Sequence, residues 1–269
     1  MRLFPARPIA ALVSVLLMLL LPAGLSPGTA VADIVGDDEQ DAFVGSGSLL
    51  LPSTMFSDGR ETASDCPGCR WRATVACRMN TAASCRGPAR LCGPDEQWLR
   101  IWVARPGGDW QDLGAACFGP GGPVTRAAAE ALLVDTMRQL VPPLAPDADP
   151  PSGVLPHLPV VFRSGQPGGP LTSAHELLGM AVSLTIQGAW AWDFGDGDRM
   201  TTRHPGAPWP DMTVSHTYAR AGAAFVSVRA EWRGTYVIDG LGPLTIEEVV
   251  SQEASVAVDV GEGRAVLVS

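Results

Sequence analysis

Two alternating apolar runs, separated by a glycine-rich turn, constrain the fold of this 269-residue chain more than any other feature. In the first run, Trp190, Trp192 and Phe194 fall on one face at the two-residue period of a strand. Gly195-Asp196-Gly197 then interrupts the run, because glycine takes positive φ without steric cost and Asp-Gly favours a tight turn. The inward face of the second run is formed by Ala224, Val226, Val228, Ala230 and Trp232. The two runs predict a half-buried antiparallel sheet.

The residues around this turn resemble the signature of the PKD (polycystic kidney disease) domain, an Ig-like β-sandwich found on extracellular proteins. Trp190 occupies the first aromatic position of the motif, and the matching residues are Trp192, Asp193, Phe194, Gly195, Asp196, Gly197, His216, Tyr218, Gly222, Val226 and Val228. The family usually has Tyr where Trp190 stands, and a second Tyr where Ala224 stands. The resemblance implies a mainly β fold with a C-terminal sandwich, in which His216 and Tyr218 have structural roles. It also implies protein–protein or protein–carbohydrate contacts, which PKD domains serve in the family. The whole arrangement is similar to that of secreted actinobacterial proteins with one C-terminal PKD-like domain.

The first 32 residues are typical of a secretory signal peptide. Arg2 and Arg7 precede an uncharged run from Ile9 to Leu21, and Ala30-Val31-Ala32 forms a small-x-small cleavage site. The apolar run is shorter than the ~20 residues that a membrane-spanning helix needs. We therefore expect cleavage after Ala32 and a secreted or cell-envelope protein without a membrane span.

The charge balance argues against nucleic-acid binding. The chain has 28 acidic and 19 basic residues, for a formal net charge of −9, and every basic residue is Arg. Phosphate contacts need clustered basic side chains on a basic surface. Because Arg codons are mostly G+C-rich, the lack of Lys indicates a G+C-rich genome rather than a functional choice.

The segment before the sandwich divides into two parts. Residues 33–59 are acidic and then rich in Gly and Ser, which predicts a flexible leader, ordered at most near Leu49–Leu51. Residues 60–124 form a cysteine-rich small domain, with a strand from Trp98 to Ala104 and a returning strand from Trp110 to Phe118. All six cysteines lie there: Cys66, Cys69, Cys77, Cys85, Cys92 and Cys117. An even number in a secreted chain predicts a disulfide framework with unknown pairing.

Two other uses of these cysteines remain open. Cys66-Pro67-Gly68-Cys69 has the spacing of a thiol redox motif, although no strand–helix–strand pattern surrounds it. The same pair would suit one half of a zinc site, but no second close pair and no nearby His follows.

Four tryptophans, Trp71, Trp98, Trp102 and Trp110, also fall in this region. They would serve either as a platform for sugar rings or as core residues, and we expect at least half of them in the core.

The remaining chain contains one helix and the sandwich. Residues 125–141 predict a helix capped by Thr125, with an apolar stripe formed by Ala129, Leu132, Leu133, Met137, Leu140 and Val141. Residues 142–159 hold seven prolines and predict an extended linker or surface strap at a domain boundary. Residues 160–269 form the PKD-like sandwich. Strands beyond Trp232, ending with Arg264–Val268, either extend its sheet or reach back to the cysteine-rich region.

No set of residues predicts catalysis or a cofactor. The four histidines have no evident acid–base partner in sequence, and no nucleophile elbow or nucleotide-binding glycine loop is present. Asp193, Asp196 and Asp198 form a weak calcium candidate, because three carboxylates in one turn can supply oxygen ligands. Hydrogen bonds to turn amides would explain Asp193 and Asp196 equally well.

Three functions are consistent with these patterns. The first is a secreted, non-catalytic interaction protein whose PKD-like domain binds an extracellular protein or polysaccharide, or acts as a spacer. The second is an accessory carbohydrate-binding protein that uses exposed tryptophans. The third is an enzyme, either a thiol oxidoreductase at Cys66 and Cys69 or a hydrolase without a recognisable motif.

Overall fold

The computed structural model describes residues 35–37, 42–55, 57–76, 92–119, 121–177 and 180–263. The proposed signal peptide, Cys77, Cys85 and the strand expected at Arg264–Val268 lie outside the described residues. The expectation of a mainly β protein is confirmed, since sixteen strands and two helices occur in the described part of the chain. All these elements belong to one compact unit.

The first sheet has five antiparallel strands. In spatial order they are β1 (Val35–Asp37), β2 (Ala42–Ser46), β4 (Arg70–Val75), β5 (Gln97–Ala104) and β6 (Trp110–Phe118). The hairpin expected from Trp98 to Phe118 is therefore confirmed. One face of this sheet buries a core in which Trp71, Leu99 and Ile101 are almost fully buried.

The flexible leader expected at residues 33–59 is wrong for Val35–Asp37 and Ala42–Ser46, which are strands, whereas the strand at Leu49–Leu50 agrees with the order expected there. β2 pairs with all of β4 except its last residue, and β3 (Leu49–Leu50) pairs with β7 (Val124–Thr125). Composition misled here because Gly45 serves packing rather than flexibility. A Cβ atom on Gly45 would lie 2.4 Å from Cζ2 of Trp71, so only glycine lets the indole lie against β2.

The sequence also did not predict the helix α1 (Ser57–Ser64). It is short and largely polar, and therefore has no apolar stripe for a periodicity argument to find. Tertiary contacts hold it. The buried Arg60 side chain donates from Nε to the Leu51 carbonyl at 2.9 Å and from Nη2 to the Ile238 carbonyl at 3.2 Å.

Two further sheets form the sandwich. The small sheet has the order β13 (Ser215–Thr217), β9 (Pro159–Arg163) and β8 (Asp147–Asp149). The large sheet has β10 (Leu171–Leu177), β11 (Met180–Asp193), β14 (Gly222–Ile238) and β15 (Leu241–Thr245) in order, with β12 (Arg199–Thr202) on β11 and β16 (Val250–Val260) on β14. Phe162 joins the two sheets, because its ring centroid lies 6.1 Å from that of Trp192 and 5.4 Å from that of Phe194.

The strands beyond Trp232 extend the large sheet. β14 continues without a break to Ile238, and both β15 and β16 pair with it. Of the two alternatives that the sequence left open for this region, addition to the same sheet is observed for β15 and β16, and the Ile238 carbonyl at the end of β14 also contacts Arg60 of the cysteine-rich region. The segment 142–159, interpreted from sequence as a linker or strap, contributes β8 to the small sheet, and Gly261 donates its N–H to the Val154 carbonyl at 2.8 Å.

The helix expected at residues 125–141 is α2 (Arg126–Leu140), and the Thr125 side chain caps it by accepting a hydrogen bond from the Ala128 amide at 3.2 Å. Its buried residues join the core of the large sheet. Met137 lies over Gly234 of β14, where a Cβ atom would come within 2.8 Å of the methionine sulfur. Leu132, expected in the buried stripe, is instead 47% exposed. The helix and the small sheet thus cover different lengths of one long sheet face.

Candidate functional site

The Asp193–Asp198 turn follows the end of β11 and is closed by its own carboxylates. Oδ1 of Asp193 accepts a hydrogen bond from the Gly195 amide at 3.0 Å, and Oδ2 accepts one from Nε of Arg199 at 2.8 Å. The amide hydrogen bond, followed by the Arg199 contact, lowers the pKa of Asp193. Both oxygens of Asp193 therefore already have partners within the turn.

The other two carboxylates of the calcium candidate approach a histidine rather than Asp193. Oδ2 of Asp196 lies 2.7 Å from Nε2 of His216, and Oδ2 of Asp198 lies 4.0 Å from Nδ1 of the same ring. Ligand atoms of these three residues lie within 4.8 Å of one another, a spacing that a metal ion can bridge. Calcium prefers oxygen ligands, however, and here the imidazole already meets Asp196 directly.

His216 and Tyr218 attach this turn to the sandwich core. The imidazole stacks on Phe194 with ring centroids 4.4 Å apart, and it meets the edge of Tyr218 at 4.7 Å. The Tyr218 hydroxyl donates to the Phe194 carbonyl at 3.1 Å. Burial raises the pKa of Tyr218 to about 12, so the phenol stays protonated and able to donate. These contacts are those of a structural cluster.

Four of the six cysteines form two disulfides, Cys66–Cys69 and Cys92–Cys117. This part of the predicted framework is confirmed. The first pair follows the C-terminal end of α1, and Cys69 is almost fully buried. The negative end of a helix disfavours a thiolate, whereas reactive thiols lie near helix N-termini or cations. The surroundings of this pair are therefore those of a structural disulfide.

Seven of the eight tryptophans fall into two groups, and the eighth, Trp209, is 61% exposed in the loop after β12. Four are buried in the two cores: Trp71, Trp190, Trp192 and Trp232. Three others lie on the first sheet, on the face opposite its core, where Trp98 and Trp102 are partly buried and Trp110 is 38% exposed. Of the four tryptophans in the cysteine-rich region, only Trp71 is in the core, so the expectation that at least half would be buried there is wrong.

Two arginines lie among the tryptophans of this open face. Cζ of Arg72 is 5.3 Å from the ring centroid of Trp102 and 5.1 Å from that of Trp110. Cζ of Arg70 lies 5.6 Å from the Trp110 centroid. Strand register explains these contacts, because Arg72 is directly opposite Trp102 and Arg70 is opposite Ala104, which in turn faces Trp110. We call Arg70, Arg72, Trp102 and Trp110 the Arg–Trp ladder.

The ladder is supported by the core beneath it. Between Arg70 and Arg72, the Trp71 side chain points to the opposite face and is almost fully buried. On β5, Leu99, Ile101 and Val103 do the same, which leaves Trp98, Arg100 and Trp102 facing outward. Cation–π contacts at exposed positions stabilise by roughly 0.5–1 kcal/mol each. The arginines are consequently held in place on a sheet whose other side is packed.

The tryptophans of this face are recognisable as a set from the sequence, but the role of the two arginines is not. The signal was present, since Arg70 and Arg72 flank an apolar residue at strand spacing. What the sequence lacked was the pairing of β4 with β5, which brings residues about 30 positions apart into direct contact. Without that register, the basic and aromatic residues do not form one surface.

A cavity of about 270 Å³ lies between the first sheet and the large sheet. Two carboxylates line the cavity, and both have hydrogen-bond partners. Glu96 accepts a hydrogen bond from the Gly93 amide at 2.7 Å. Asp239 accepts one from the Ser53 amide and forms an ion pair with Arg60. Neither carboxylate is paired with a histidine or a second free acid within the described residues, so the cavity offers no acid–base pair.

Comparisons with family models, with curated proteins and with solved structures found no match to this chain. Within the described part of the chain, no helix is long and apolar enough to cross a membrane.

Proposed function

We propose that this protein is a non-catalytic interaction protein of the extracellular space or cell envelope, and that it binds a polysaccharide through the open face of the first sheet. The Arg–Trp ladder is the observation that supports this proposal. Aromatic and guanidinium groups that remain at a packed sheet surface, rather than in the core, are typical of binding surfaces.

The extracellular assignment is supported by two features. Disulfides form and persist in oxidising compartments, and the described chain contains two of them. The first 32 residues have the pattern of a secretory signal peptide. The sandwich, which resembles a PKD domain in its turn residues, would serve as the scaffold that holds the first sheet and its open face.

A carbohydrate is the ligand that suits this surface best. The face is shallow and carries indole groups beside hydrogen-bond donors, a combination that contacts both the apolar faces and the hydroxyls of sugar rings. The thiol oxidoreductase alternative is less well supported, because Cys66 and Cys69 lie at the wrong end of α1 for an activated thiol. A protein partner on the sandwich remains the alternative that the experiment must separate.

Co-sedimentation with insoluble cell wall, chitin and cellulose tests the proposal. We expect the purified protein to be retained by at least one polymer, and Trp110→Ala to lower retention. Trp209→Ala is the matched control, because Trp209 is 61% exposed but lies in a loop after β12 rather than on the first sheet. Equal loss in both variants, or no retention by any polymer, would contradict a carbohydrate site on this face and would direct attention to a protein partner.

A further inference from the structure

We propose that the Arg–Trp ladder selects acidic polysaccharides, and that Arg70 and Arg72 bind the carboxylates of uronic acid units. This inference deepens the proposed function and rests on it. It adds the ligand class, and it assigns recognition to the arginines rather than to stacking on free tryptophan faces.

The first support is the pairing of the arginines in this chain. Eight of the thirteen described arginines have a carboxylate partner, and Arg105, Arg203 and Arg220 are three of the five without one. The ion pairs are Arg60–Asp239, Arg100–Asp112, Arg126–Glu130, Arg138–Glu248, Arg163–Asp147, Arg199–Asp193, Arg229–Glu231 and Arg233–Glu231. Arg70 and Arg72 have none within the described residues, although acidic residues outnumber basic ones, 28 to 19. The ladder is therefore a locally cationic face on an acidic protein, complementary in charge to an anionic ligand.

The second support is the orientation of the guanidinium groups. Both lie over the ring of Trp110, and Arg72 also lies over that of Trp102, so these indole faces are already in contact with cations. A guanidinium packed against a ring keeps its N–H donors in its own plane, where they suit a carboxylate. Holding the side chain in this way also reduces the rotamer entropy that binding would otherwise cost.

The third support concerns the charge density of the ligand. Arg100 also lies on this face and is already held by Asp112 at 2.7 Å, which leaves Arg70 and Arg72 as the cations without a carboxylate partner among the described residues of the face. A nucleic acid, with one negative charge per ~1.7 Å of duplex, would extend beyond these two cations along a protein whose formal net charge is −9. A polyuronate carries its carboxylates singly on successive sugars, and it presents apolar ring faces and hydroxyls between them. Such a polymer needs few cations at one position.

The experiment compares polygalacturonate with its fully methyl-esterified form, which keeps the backbone and removes the charge. Binding is measured by titration calorimetry at low and at physiological salt. We expect the acid form to bind roughly tenfold or more tightly than the ester, and Arg70→Gln and Arg72→Gln each to weaken it by about the same factor. Arg72→Lys, which keeps the charge but loses the planar fork, should bind more weakly than the unaltered protein.

The control variant is Arg203→Gln. Arg203 is exposed and has no ion-pair partner within the described residues, but it follows β12 of the large sheet. It should leave binding unchanged, and thermal unfolding should show that all variants fold. A loss of binding in Arg203→Gln equal to that in Arg72→Gln would overturn the proposal, because general charge would then explain the attraction.

The remaining outcomes separate this inference from the proposed function. Equal affinity for acid and ester forms, unchanged in the arginine variants, overturns acidic selection and leaves carbohydrate binding in place. Retention by chitin or cellulose with no binding of polygalacturonate has the same meaning. No binding to any of these polymers overturns both. Equally tight binding of a single-stranded oligonucleotide, weakened by the same variants, overturns the choice of a glycan.

Discussion

A Cβ atom on Gly195 would lie 2.7 Å from the carbonyl oxygen of Phe225. The turn after β11 thus passes directly against the backbone of β14, and it does so with a φ of +82° at Gly195. Gly197, two residues later, has a φ of +107° but nothing within 4 Å of the same position. The two glycines of the motif therefore have different requirements.

Gly195→Ala should destabilise the protein more than Gly197→Ala. Both substitutions introduce a positive-φ penalty of roughly 1–2 kcal/mol. Gly195→Ala adds overpacking against a backbone that cannot move aside, at roughly 1–3 kcal/mol. Thermal or urea unfolding of the two variants measures the difference, and equal losses would mean that the turn does not approach β14 as closely as described.

The Asp196–His216 hydrogen bond should make stability depend on pH in the acid range. Partial burial raises the pKa of Asp196, but the hydrogen bonds from His216 and the Asp198 amide outweigh it and hold this pKa below its usual 3.8. A carboxyl group with a lowered pKa stabilises the fold above its unfolded pKa, and this contribution disappears as the pH falls through the folded pKa. The melting temperature of the unaltered protein should exceed that of Asp196→Asn near pH 6, and the gap should narrow below about pH 4.

Asp211→Asn is the control for that experiment. The pKa of Asp211 is also lowered, chiefly by hydrogen bonds within its own turn to Thr213 rather than by His216. If Asp196 acts through His216, the variant His216→Gln should remove most of the Asp196→Asn effect and leave that of Asp211→Asn intact. An unchanged gap between unaltered protein and Asp196→Asn from pH 6 to pH 3 would contradict the prediction.

Met137→Ala should be strongly destabilising, because this side chain has no exposed surface and fills the space between α2 and the large sheet. Truncating a buried methionine typically costs ~2–5 kcal/mol. Leu132→Ala, on the same helix but 47% exposed, should cost well under half as much. Because the helix shares the core of the sheet, both variants should unfold in one transition. A separate low-temperature transition for the helix in Met137→Ala would show that α2 is a dispensable addition.

The two described disulfides should contribute unequally. Cys92 and Cys117 are 25 residues apart, whereas Cys66 and Cys69 are three apart. On the chain-entropy account, the longer loop stabilises by roughly 3–4 kcal/mol and the shorter by roughly 2 kcal/mol. The double variant Cys92→Ala/Cys117→Ala should therefore show the larger fall in the denaturant midpoint. The reverse order would indicate that local packing around the buried Cys69 outweighs loop closure.

The contact between Arg72 and Trp110 can be measured without any ligand. A double-mutant cycle with Arg72→Gln and Trp110→Ala isolates the pairwise interaction from the effect of each truncation. We expect a coupling energy of roughly 0.5–1 kcal/mol, the range of an exposed cation–π pair. Zero coupling would mean that the two groups do not stack in solution, and the orientation argument for carboxylate binding would lose its basis.

Alternation predicted the main strands of the sandwich, because successive residues of a half-buried strand point to the buried and the exposed face in turn. The sequence placed Ala224, Val226, Val228, Ala230 and Trp232 on one face, and all five are buried in β14. The turn at Gly195–Gly197 and the helix at Arg126–Leu140 could also be predicted from the sequence, since each depends on local backbone preferences and capping.

The same reasoning failed where a segment depends on a distant partner. Gly45 suggested flexibility, yet it is the residue against which Trp71 packs. Leu132 has the spacing of a core residue, but its side chain is 47% exposed. In both cases the local pattern is real but the conclusion is wrong, because contacts with distant parts of the chain decide whether a small or apolar residue is packed or exposed.

The sequence by itself determined the alternation of the main sandwich strands, the turn at Gly195–Gly197, the bounds of α2 to within a residue, and the use of the four described cysteines in disulfides. Only the tertiary structure decided which face of each strand is covered. Trp71 enters the core while Trp102 and Trp110 stay at the surface beside Arg70 and Arg72, although all lie on strands of one sheet. The physical reason is that alternation assigns residues to two faces of a strand but does not show which face is buried. Strand pairing, and the elements that pack on one side of the sheet, decide which face that is.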